Sequence, residues 1–356
     1  MPALERRRLF LGACALGRAI DAFGAPLDGG APLLGRAVAL ALRAPRPNER
    51  EPIERPLWTG VRVLDACLTF GRGARVGIFG PPGAGKSTLV ESIVDGCAAD
   101  AVVVGLAGER GREAQRWIAR LDERTTIVCA TSDRPANERI AAAAVAIAQA
   151  RALCERGLHV LFVLDSLARV AAAAREIAVA AGESVGRGGY PPGVFATLAR
   201  YLECAGALPC GSVTLVATVL SDGDERDPVS EAARSLLDDH IQLSSARAQA
   251  GRFPAVDVPR SSSRTMDLVA GAEHRRAASQ IRRVLALLER MEDARALGIE
   301  PADSPSRAAI AIEARLEAFL CQSGRTDCRE TLRELLELAG AFERSQLGNV
   351  AMNEGS

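Results

Sequence analysis

Short apolar runs alternate with amphipathic segments through the middle of the chain. The runs are RVGIF (75–79), AVVVGLAG (101–108), TTIVCATS (125–132), HVLFVLDS (159–166), GSVTLVATVLS (211–221) and HIQLSS (240–245). Longer stretches with helical spacing separate most of them. Continuous Val, Ile and Leu runs between helices are typical of a parallel sheet covered on both faces. The pattern therefore predicts an α/β core with a mostly parallel sheet.

Beyond residue 270 the strand pattern stops, and apolar residues recur at helical spacing. This change predicts a small all-α C-terminal domain. Before residue 50 the chain is rich in Pro, Gly and Arg, which indicates an extended arm and linker. The predicted division is an N-terminal arm and linker (1–50), the core (51–270), the helical domain (271–346) and a flexible tail (347–356).

The composition argues against nucleic-acid-binding, membrane-spanning and secreted proteins. The 356 residues include 44 Lys plus Arg and 44 Asp plus Glu, so no overall basic field favours nucleic acid, and aromatic residues make up only 4%. No apolar run reaches the roughly 20 residues that span a bilayer. The N-terminal ERRRLFLGACALG imitates a secretory signal, but Gly12 and Gly17 interrupt its apolar run, and we predict a cytoplasmic protein instead.

Cysteine and histidine residues give no metal-ligand pattern. The nine cysteines contain no CxxC pair, and Cys97, Cys129 and Cys154 lie within apolar runs, which predicts buried, reduced thiols. The three histidines are too dispersed for a zinc site. We expect His159 and His240 to pack at the starts of strands.

The segment GPPGAGKST (80–88) carries the first candidate chemistry. It fits G-x-x-x-x-G-K-[ST] between a predicted strand and a predicted helix, and Lys86 is the only lysine of the chain. Glycines let backbone N–H groups turn toward phosphates, Lys86 adds a compact charge, and the Ser87 hydroxyl can bind Mg²⁺. A planar arginine fork would not fit the same loop. The alternative is a glycine-rich turn without a ligand. The predicted nucleotide-binding residues are Gly80, Gly83, Ala84, Gly85, Lys86, Ser87 and Thr88.

Two carboxylates follow predicted strands. Asp165 ends LFVLD, where a nucleotide-binding sheet presents the carboxylate for Mg²⁺, although an aspartate there is also a common helix N-cap. Glu109 follows AVVVGLAG and can polarise the water that attacks a γ-phosphate. With Arg110 and Arg112 it could also form a surface ion-pair cluster. We assign Lys86, Glu109 and Arg110 to the catalytic group, and Ser87 and Asp165 to the metal.

Five longer segments carry a resemblance to a known family. They are, in order, RVGIFGPPGAGKSTLVESI, GERGREAQ, LFVLDSLARVAAAAREIAVAAGE, GYPPGVFATLARYLECAG and DPVSEAARSLLDDHIQLSSA. The chain resembles the type III secretion ATPase family, which comprises the injectisome and flagellar export ATPases and is related to the catalytic subunits of rotary ATP synthases. The segments LGRAIDAFGAPLDGG (16–30), PLWTGVRVLDACLTFGRG (56–73) and FPAVDVPRSSSR (253–264) extend the resemblance over most of residues 16–345.

The resemblance implies a RecA-like P-loop ATPase core that uses ATP and Mg²⁺. Glu109 matches the family's catalytic glutamate, and Phe253 lies where the family places an aromatic residue against the adenine, although it could also be an ordinary core residue. Arg264 matches an arginine finger that reaches the neighbouring subunit's site, which implies a homohexameric ring. By the same resemblance the partners are export chaperone–effector complexes and stalk or stator proteins, at the cytoplasmic face of the inner-membrane export apparatus. No nucleic-acid partner is expected.

The sequence departs from the family pattern at four places. The family carries an N-terminal β-barrel domain, whereas almost nothing precedes Leu16, so we expect most of the barrel to be lacking. The family's T-R-G-Y-P-P reads RGGYPP (187–192), the acidic loop DGDERDP (222–228) is one residue short, and D-S-[VL]-T-R contains Ala168 in place of threonine. None of these changes removes a predicted phosphate, metal or water-activating group.

Three functional hypotheses remain. The first is Mg-ATP hydrolysis by a ring-forming ATPase that energises protein export through chaperone release and cargo unfolding. The second is a truncated paralogue that acts as a nucleotide-binding scaffold with weak hydrolysis. The third, a nucleic-acid translocase, is disfavoured by the neutral charge and the few aromatic residues.

Overall fold

The structure is a computed structural model of the chain. It describes residues 8–353 except 36, 41, 222–226 and 302, and side chains as far as 347. Most of the acidic loop 222–228 and the first residues of the signal-like segment therefore lie outside the described residues.

The described residues form thirteen strands. Their bounds are β1 Arg8–Phe10, β2 Arg18–Asp21, β3 Ala37–Ala39, β4 Pro56–Leu57, β5 Phe70–Gly71, β6 Arg75–Gly80, β7 Ala101–Glu109, β8 Thr125–Thr131, β9 His159–Asp165, β10 Gly206–Leu208, β11 Gly211–Leu220, β12 Asp239–Gln242 and β13 Ser262–Ser263. All six predicted strands are present, as β6, β7, β8, β9, β11 and β12. All but β12 have continuous apolar runs, which is why the sequence predicts them.

The main sheet has the order β13-β12-β6-β11-β9-β7-β8-β2, with β10 paired to β11. The pairings β6–β11, β11–β9, β9–β7, β7–β8 and β8–β2 are all parallel, whereas β10 runs antiparallel to β11. The predicted mostly parallel sheet is confirmed. Edge strand β2 lies within the segment that the sequence predicts as an arm, because its four residues are too few to give a periodic signal.

The described residues also form twelve α-helices. Their bounds are α1 Arg62–Cys67, α2 Lys86–Gly96, α3 Gly111–Ile118, α4 Ala136–Cys154, α5 Leu167–Ala180, α6 Pro192–Leu202, α7 Pro228–Leu236, α8 Ser245–Gln249, α9 Met266–Val269, α10 Ala272–Ala296, α11 Ser304–Leu320 and α12 Cys328–Asn353. The alanine-rich part of α4 is buried from Ile140 to Ala150. Its small side chains let the helix pack closely against β7, β8 and β9.

The chain divides into two compact units. The first comprises residues 1–55, 71–82 and 99–240, and the second comprises 56–70, 83–98 and 241–356. The first unit holds most of the parallel sheet and its apolar core, whereas the second ends in α10, α11 and α12, which pack on one another. The C-terminal helices agree with the predicted all-α region. The domain boundaries proposed from the sequence stay predictions.

Two expectations from composition have a structural counterpart. Cys97, Cys129 and Cys154 are buried, and all nine cysteines are free thiols. His159 begins β9 and His240 lies at the second position of β12. Within the described ranges, none of the helices combines the length and the apolarity needed to cross a membrane.

Candidate nucleotide-binding and catalytic site

The carboxyl ends of β6, β9 and β7 lie at one edge of the first unit's sheet, with β11 between β6 and β9. Strand β6 ends at Gly80, β7 at Glu109 and β9 at Asp165. Parallel register aligns these ends, since Leu106 of β7 pairs with Asp165. In open parallel sheets, ligands bind beyond the carboxyl ends of the strands. The structure therefore brings Gly80, Glu109 and Asp165 to the edge where a nucleotide site is expected.

Glu109 lies at this edge with only 5% of its surface exposed. One of its oxygens, Oε1, lies 2.6 Å from the Arg169 Nε of α5. Burial raises the pKa of Glu109 to about 8; a hydrogen bond with Glu113 and the charge of Asp165 add to this effect, and Arg169 opposes it. The pKa of Glu113 is lowered, mainly by the same hydrogen bond with Glu109. The two glutamates are therefore coupled, and their environment favours the proton on Glu109 over the proton on Glu113.

Asp165 is held from the neighbouring strand. The Thr218 hydroxyl of β11, itself buried, donates a hydrogen bond to Asp165 Oδ1. The N-cap position of α5 belongs to Ser166, so Asp165 does not cap the helix. This arrangement orients a carboxylate at the sheet edge, where it can act on a metal or a water.

The predicted phosphate loop joins β6 to α2. Gly83 has φ 79° and Gly85 has φ 89°, a left-handed conformation that only glycine adopts without strain. A Cβ on Gly83 would meet no atom within 4 Å, so one face of the loop is open to a ligand. Helix α2 begins at Lys86 and has no acidic residue in its first turn. Its amino end therefore offers N–H donors and positive potential to an anion.

A pocket in the second unit adjoins this loop. Its walls include Gly85, Thr88, Leu89, Phe253, Pro254 and Gln322. Phe253 is 42% exposed, and a Cβ on Gly85 would lie 3.4 Å from its Cε1 atom. An exposed aromatic face beside a phosphate loop suits the stacking of a base. Phe253 is therefore not an ordinary core residue.

The two predicted arginines of the catalytic group lie on the surface. Arg264 follows β13 and is exposed. The preceding Ser263 hydroxyl donates to Thr69 O at 3.0 Å and accepts from Met266 N at 3.0 Å, which fixes the turn around Arg264. Arg110 is the exposed N-cap of α3 and sits one residue after Glu109.

Sequence reasoning did not assign four residues that contact the predicted site residues. These are Glu113, Arg169, Thr218 and Gln322. The sequence could have indicated Glu113 and Arg169. Glu113 follows Glu109 by four residues in GERGREAQ, and Arg169 follows Asp165 by four residues in LFVLDSLAR. Thr218 is a polar residue near the end of an apolar strand. Gln322 has no local signal, since the partners that link it to the pocket and to α1, Phe253 and Arg62, are about 70 and 260 residues away.

Sequence comparison identifies the class of protein. The model of the ATP synthase alpha/beta family, nucleotide-binding domain, matches residues 60–263. This match covers more than half of the chain and includes the phosphate loop, Glu109 and Asp165. The chain is thus an ATP-hydrolysing P-loop enzyme.

Named relatives define the family more narrowly. The "Type 3 secretion system ATPase" of Sinorhizobium fredii is 46% identical over 326 residues, which are 89% of this chain and 72% of the relative. The "Flagellum-specific ATP synthase" of Treponema pallidum is 43% identical over 342 residues, 93% of this chain and 76% of the relative. The chain belongs to the type III secretion and flagellar export ATPase family, as the sequence predicts, and spans about three quarters of these relatives' length.

Solved structures agree with this assignment. The assembled ATPase EscN from enteropathogenic E. coli superimposes with a TM-score of 0.89 and 38% identity, covering 93% of this chain and 83% of EscN. EscN in complex with its central stalk EscO gives a TM-score of 0.87 and 37% identity over the same shares of both chains.

Proposed function

We propose that this ATPase of the export apparatus hydrolyses Mg-ATP at sites shared between neighbouring subunits of a ring. The observation that carries the proposal is the placement of a buried carboxylate, Glu109, beside Asp165 at the sheet edge where β6 leads into the phosphate loop. A water-activating carboxylate, a metal-binding carboxylate and a phosphate loop are the parts that phosphoryl transfer to water needs.

The loop residues would bind and orient the triphosphate. N–H groups at the amino end of α2 face the phosphates, and Lys86 supplies a point charge to the outer ones. The Phe253 face holds the base in the pocket of the second unit. These contacts would position the γ-phosphate and take no part in the chemical step itself.

The donor set also fits Mg²⁺. The Ser87 hydroxyl is exposed at the start of α2, and the Thr218 hydroxyl orients the Asp165 carboxylate. Across the residues that the structure describes, no group of three or more His, Cys, Asp or Glu side chains could hold a metal alone. This agrees with Mg²⁺, which usually takes one or two protein ligands together with substrate phosphates and water. Bound there, Mg²⁺ would neutralise charge on the phosphates.

Glu109 acts as the base or the orienting group for the attacking water. It must be ionised for this role, and Arg169 favours the ionised form whereas Glu113 opposes it. Arg169 therefore lowers the pKa of Glu109 as well as forming an ion pair with it.

Arg264 completes the site of an adjacent subunit. Its exposed position on a fixed turn suits a side chain that reaches out of its own protomer. An arginine finger contributes roughly 10³ or more to the rate of related phosphoryl transfers. The match to assembled EscN supports self-assembly, and the EscN–EscO complex supports a stalk partner for this chain.

The cellular role we propose is to energise protein export by releasing chaperones and unfolding cargo at the cytoplasmic face of the inner membrane. The names of the relatives, "Type 3 secretion system ATPase" and "Flagellum-specific ATP synthase", support a place in the export apparatus, and the chaperone and cargo steps are the finer part of the proposal.

Steady-state ATPase assays over a range of protein concentrations test the shared site. Specific activity should rise with concentration as rings assemble, and Arg264→Ala should remove most of it. Activity that is proportional to concentration and unaffected by Arg264→Ala would contradict a shared site. ATP binding without turnover at any concentration would favour the nucleotide-binding scaffold.

A further inference from the structure

The side-chain amide of Gln322 ties the loop after α11 to the turn before α1, within the second unit. Its Oε1 accepts a hydrogen bond from Arg62 N at 2.6 Å. Its Nε2 lies 2.8 Å from Gly60 O, 2.6 Å from Gly324 O and 2.8 Å from Thr326 Oγ1. The two N–H groups of the amide thus serve three acceptors, so no donor of the side chain is left for a ligand.

The turn that receives this amide is rigid. The buried carboxylate of Asp65 accepts hydrogen bonds from Thr59 N at 2.8 Å and from Gly60 N at 2.9 Å. A second link joins the same two segments, because Thr326 N donates to Gly60 O at 3.1 Å. Gln322 is therefore anchored to a fixed part of the unit.

From this anchor the backbone of Gln322 reaches the base pocket. Its N–H donates to Phe253 O at 2.8 Å. Phe253 in turn lies against Gly85 of the phosphate loop and forms one wall of the pocket, and Gln322 forms another. A continuous series of contacts thus runs from α1 through Gln322 to the aromatic wall.

We propose that Gln322 is the positioning residue of the base pocket: its amide fixes the backbone that holds Phe253 against the nucleotide base. This inference rests on the proposed function, since it assumes that Phe253 stacks on the base. Gln322 acts on the base through the backbone and not through its Nε2 donors, because those are already bonded. Its loss should weaken binding of the nucleoside part and leave the phosphate loop and the chemistry intact.

Two variants and one control distinguish an effect on the position of Phe253 from a general loss of stability. Gln322→Met keeps the size of the side chain and removes all its hydrogen bonds. Thr326→Val keeps shape and removes one acceptor. Gln280→Met is the control, because Gln280 belongs to the same unit but its amide bonds Glu343 on the surface. Each full-length variant is assayed for the kcat and KM of ATP hydrolysis and for the Kd of inorganic tripolyphosphate, which has phosphates and no base.

Gln322→Met should raise the KM for ATP about tenfold, the effect of about 1.4 kcal/mol of lost hydrogen bonding, with kcat and the tripolyphosphate Kd within about twofold of wild type. Thr326→Val should raise KM less, and Gln280→Met should not change it. Equal losses for ATP and tripolyphosphate, or an unchanged KM, would overturn the proposal.

If Gln322→Met does not fold, Gln322→Glu decides, because it keeps the shape and replaces the donating Nε2 by an oxygen that faces Gly60 O and Gly324 O. An unchanged KM in that variant would contradict the positioning role. A wild-type protein that neither binds nor hydrolyses ATP would instead contradict the proposed function, so the two failures are distinguishable.

Discussion

Replacing Glu113 by glutamine should move the pH dependence of ATP hydrolysis to lower pH. Burial, the Glu113 hydrogen bond and the Asp165 charge together raise the pKa of Glu109 from 4.5 to about 8. That difference corresponds to about 5 kcal/mol against ionisation. At pH 7 about one Glu109 in ten is then ionised in the free enzyme, so kcat/KM should be about a tenth of its high-pH plateau.

Glu113→Gln removes the charge of Glu113, which raises the pKa of Glu109, while burial and Asp165 remain. The fraction of ionised Glu109 at pH 7 should rise, and kcat/KM at that pH should increase several-fold with little change in the plateau. The assay is kcat/KM for ATP between pH 6 and pH 9.5, together with Glu155→Gln as a control on the exposed end of α4.

The ionisation of ATP itself is common to all three proteins, so the difference between Glu113→Gln and wild type isolates the enzyme group. The same acid limb in both proteins would refute the coupling between Glu109 and Glu113. A wild-type profile without an acid limb above pH 6 would refute the raised pKa of Glu109.

Three further predictions concern single positions. Lys86→Arg should abolish hydrolysis and leave the thermal unfolding curve unchanged, because an arginine fork does not fit the phosphate loop. Gly85→Ala should raise the KM for ATP, since φ is 89° and the new Cβ would lie 3.4 Å from the Phe253 ring, whereas Gly271→Ala, where nothing lies within 4 Å, should be neutral. Burial lowers the pKa of His159 from 6.5 to about 4, so below pH 6.5 the unfolded chain binds a proton that the folded protein does not. The free energy of unfolding should therefore fall by about 3 kcal/mol between pH 7 and pH 4. Urea unfolding of His159→Gln should show a smaller fall over the same pH range.

The sequence predicts the parts of this fold that depend on local patterns. Each of the six predicted runs contains a strand; five are buried along most of their length, because a strand buried on both faces needs a continuous apolar sequence, whereas β12 alternates between buried and half-buried residues. The motif requires a glycine at position 85, and both Gly85 and Gly83, which the motif leaves open, take left-handed backbone in the structure. Glu109 and Asp165 are found from the sequence because each follows such a run.

Features that depend on distant contacts are the ones that sequence reasoning misses. The four residues of β2 join the sheet only because Gly17 N donates to Thr125 O and β8 offers a free edge to them. Gln322 has partners in α1 and beside Phe253, and nothing in its own neighbourhood marks it. The pairing of Arg169 with Glu109 likewise requires α5 to be packed against the sheet.

The most direct test of the central claim, a catalytic site shared between protomers, is to mix two inactive variants. Lys86→Ala lacks the phosphate-loop lysine and Arg264→Ala lacks the finger, and each alone should have little ATPase activity. In an equal mixture, random assembly gives about a quarter of the sites an intact Lys86 and a neighbour with an intact Arg264. We predict that ATPase activity recovers to about that fraction of wild type. Activity of the mixture equal to the mean of the two separate variants would contradict the shared site.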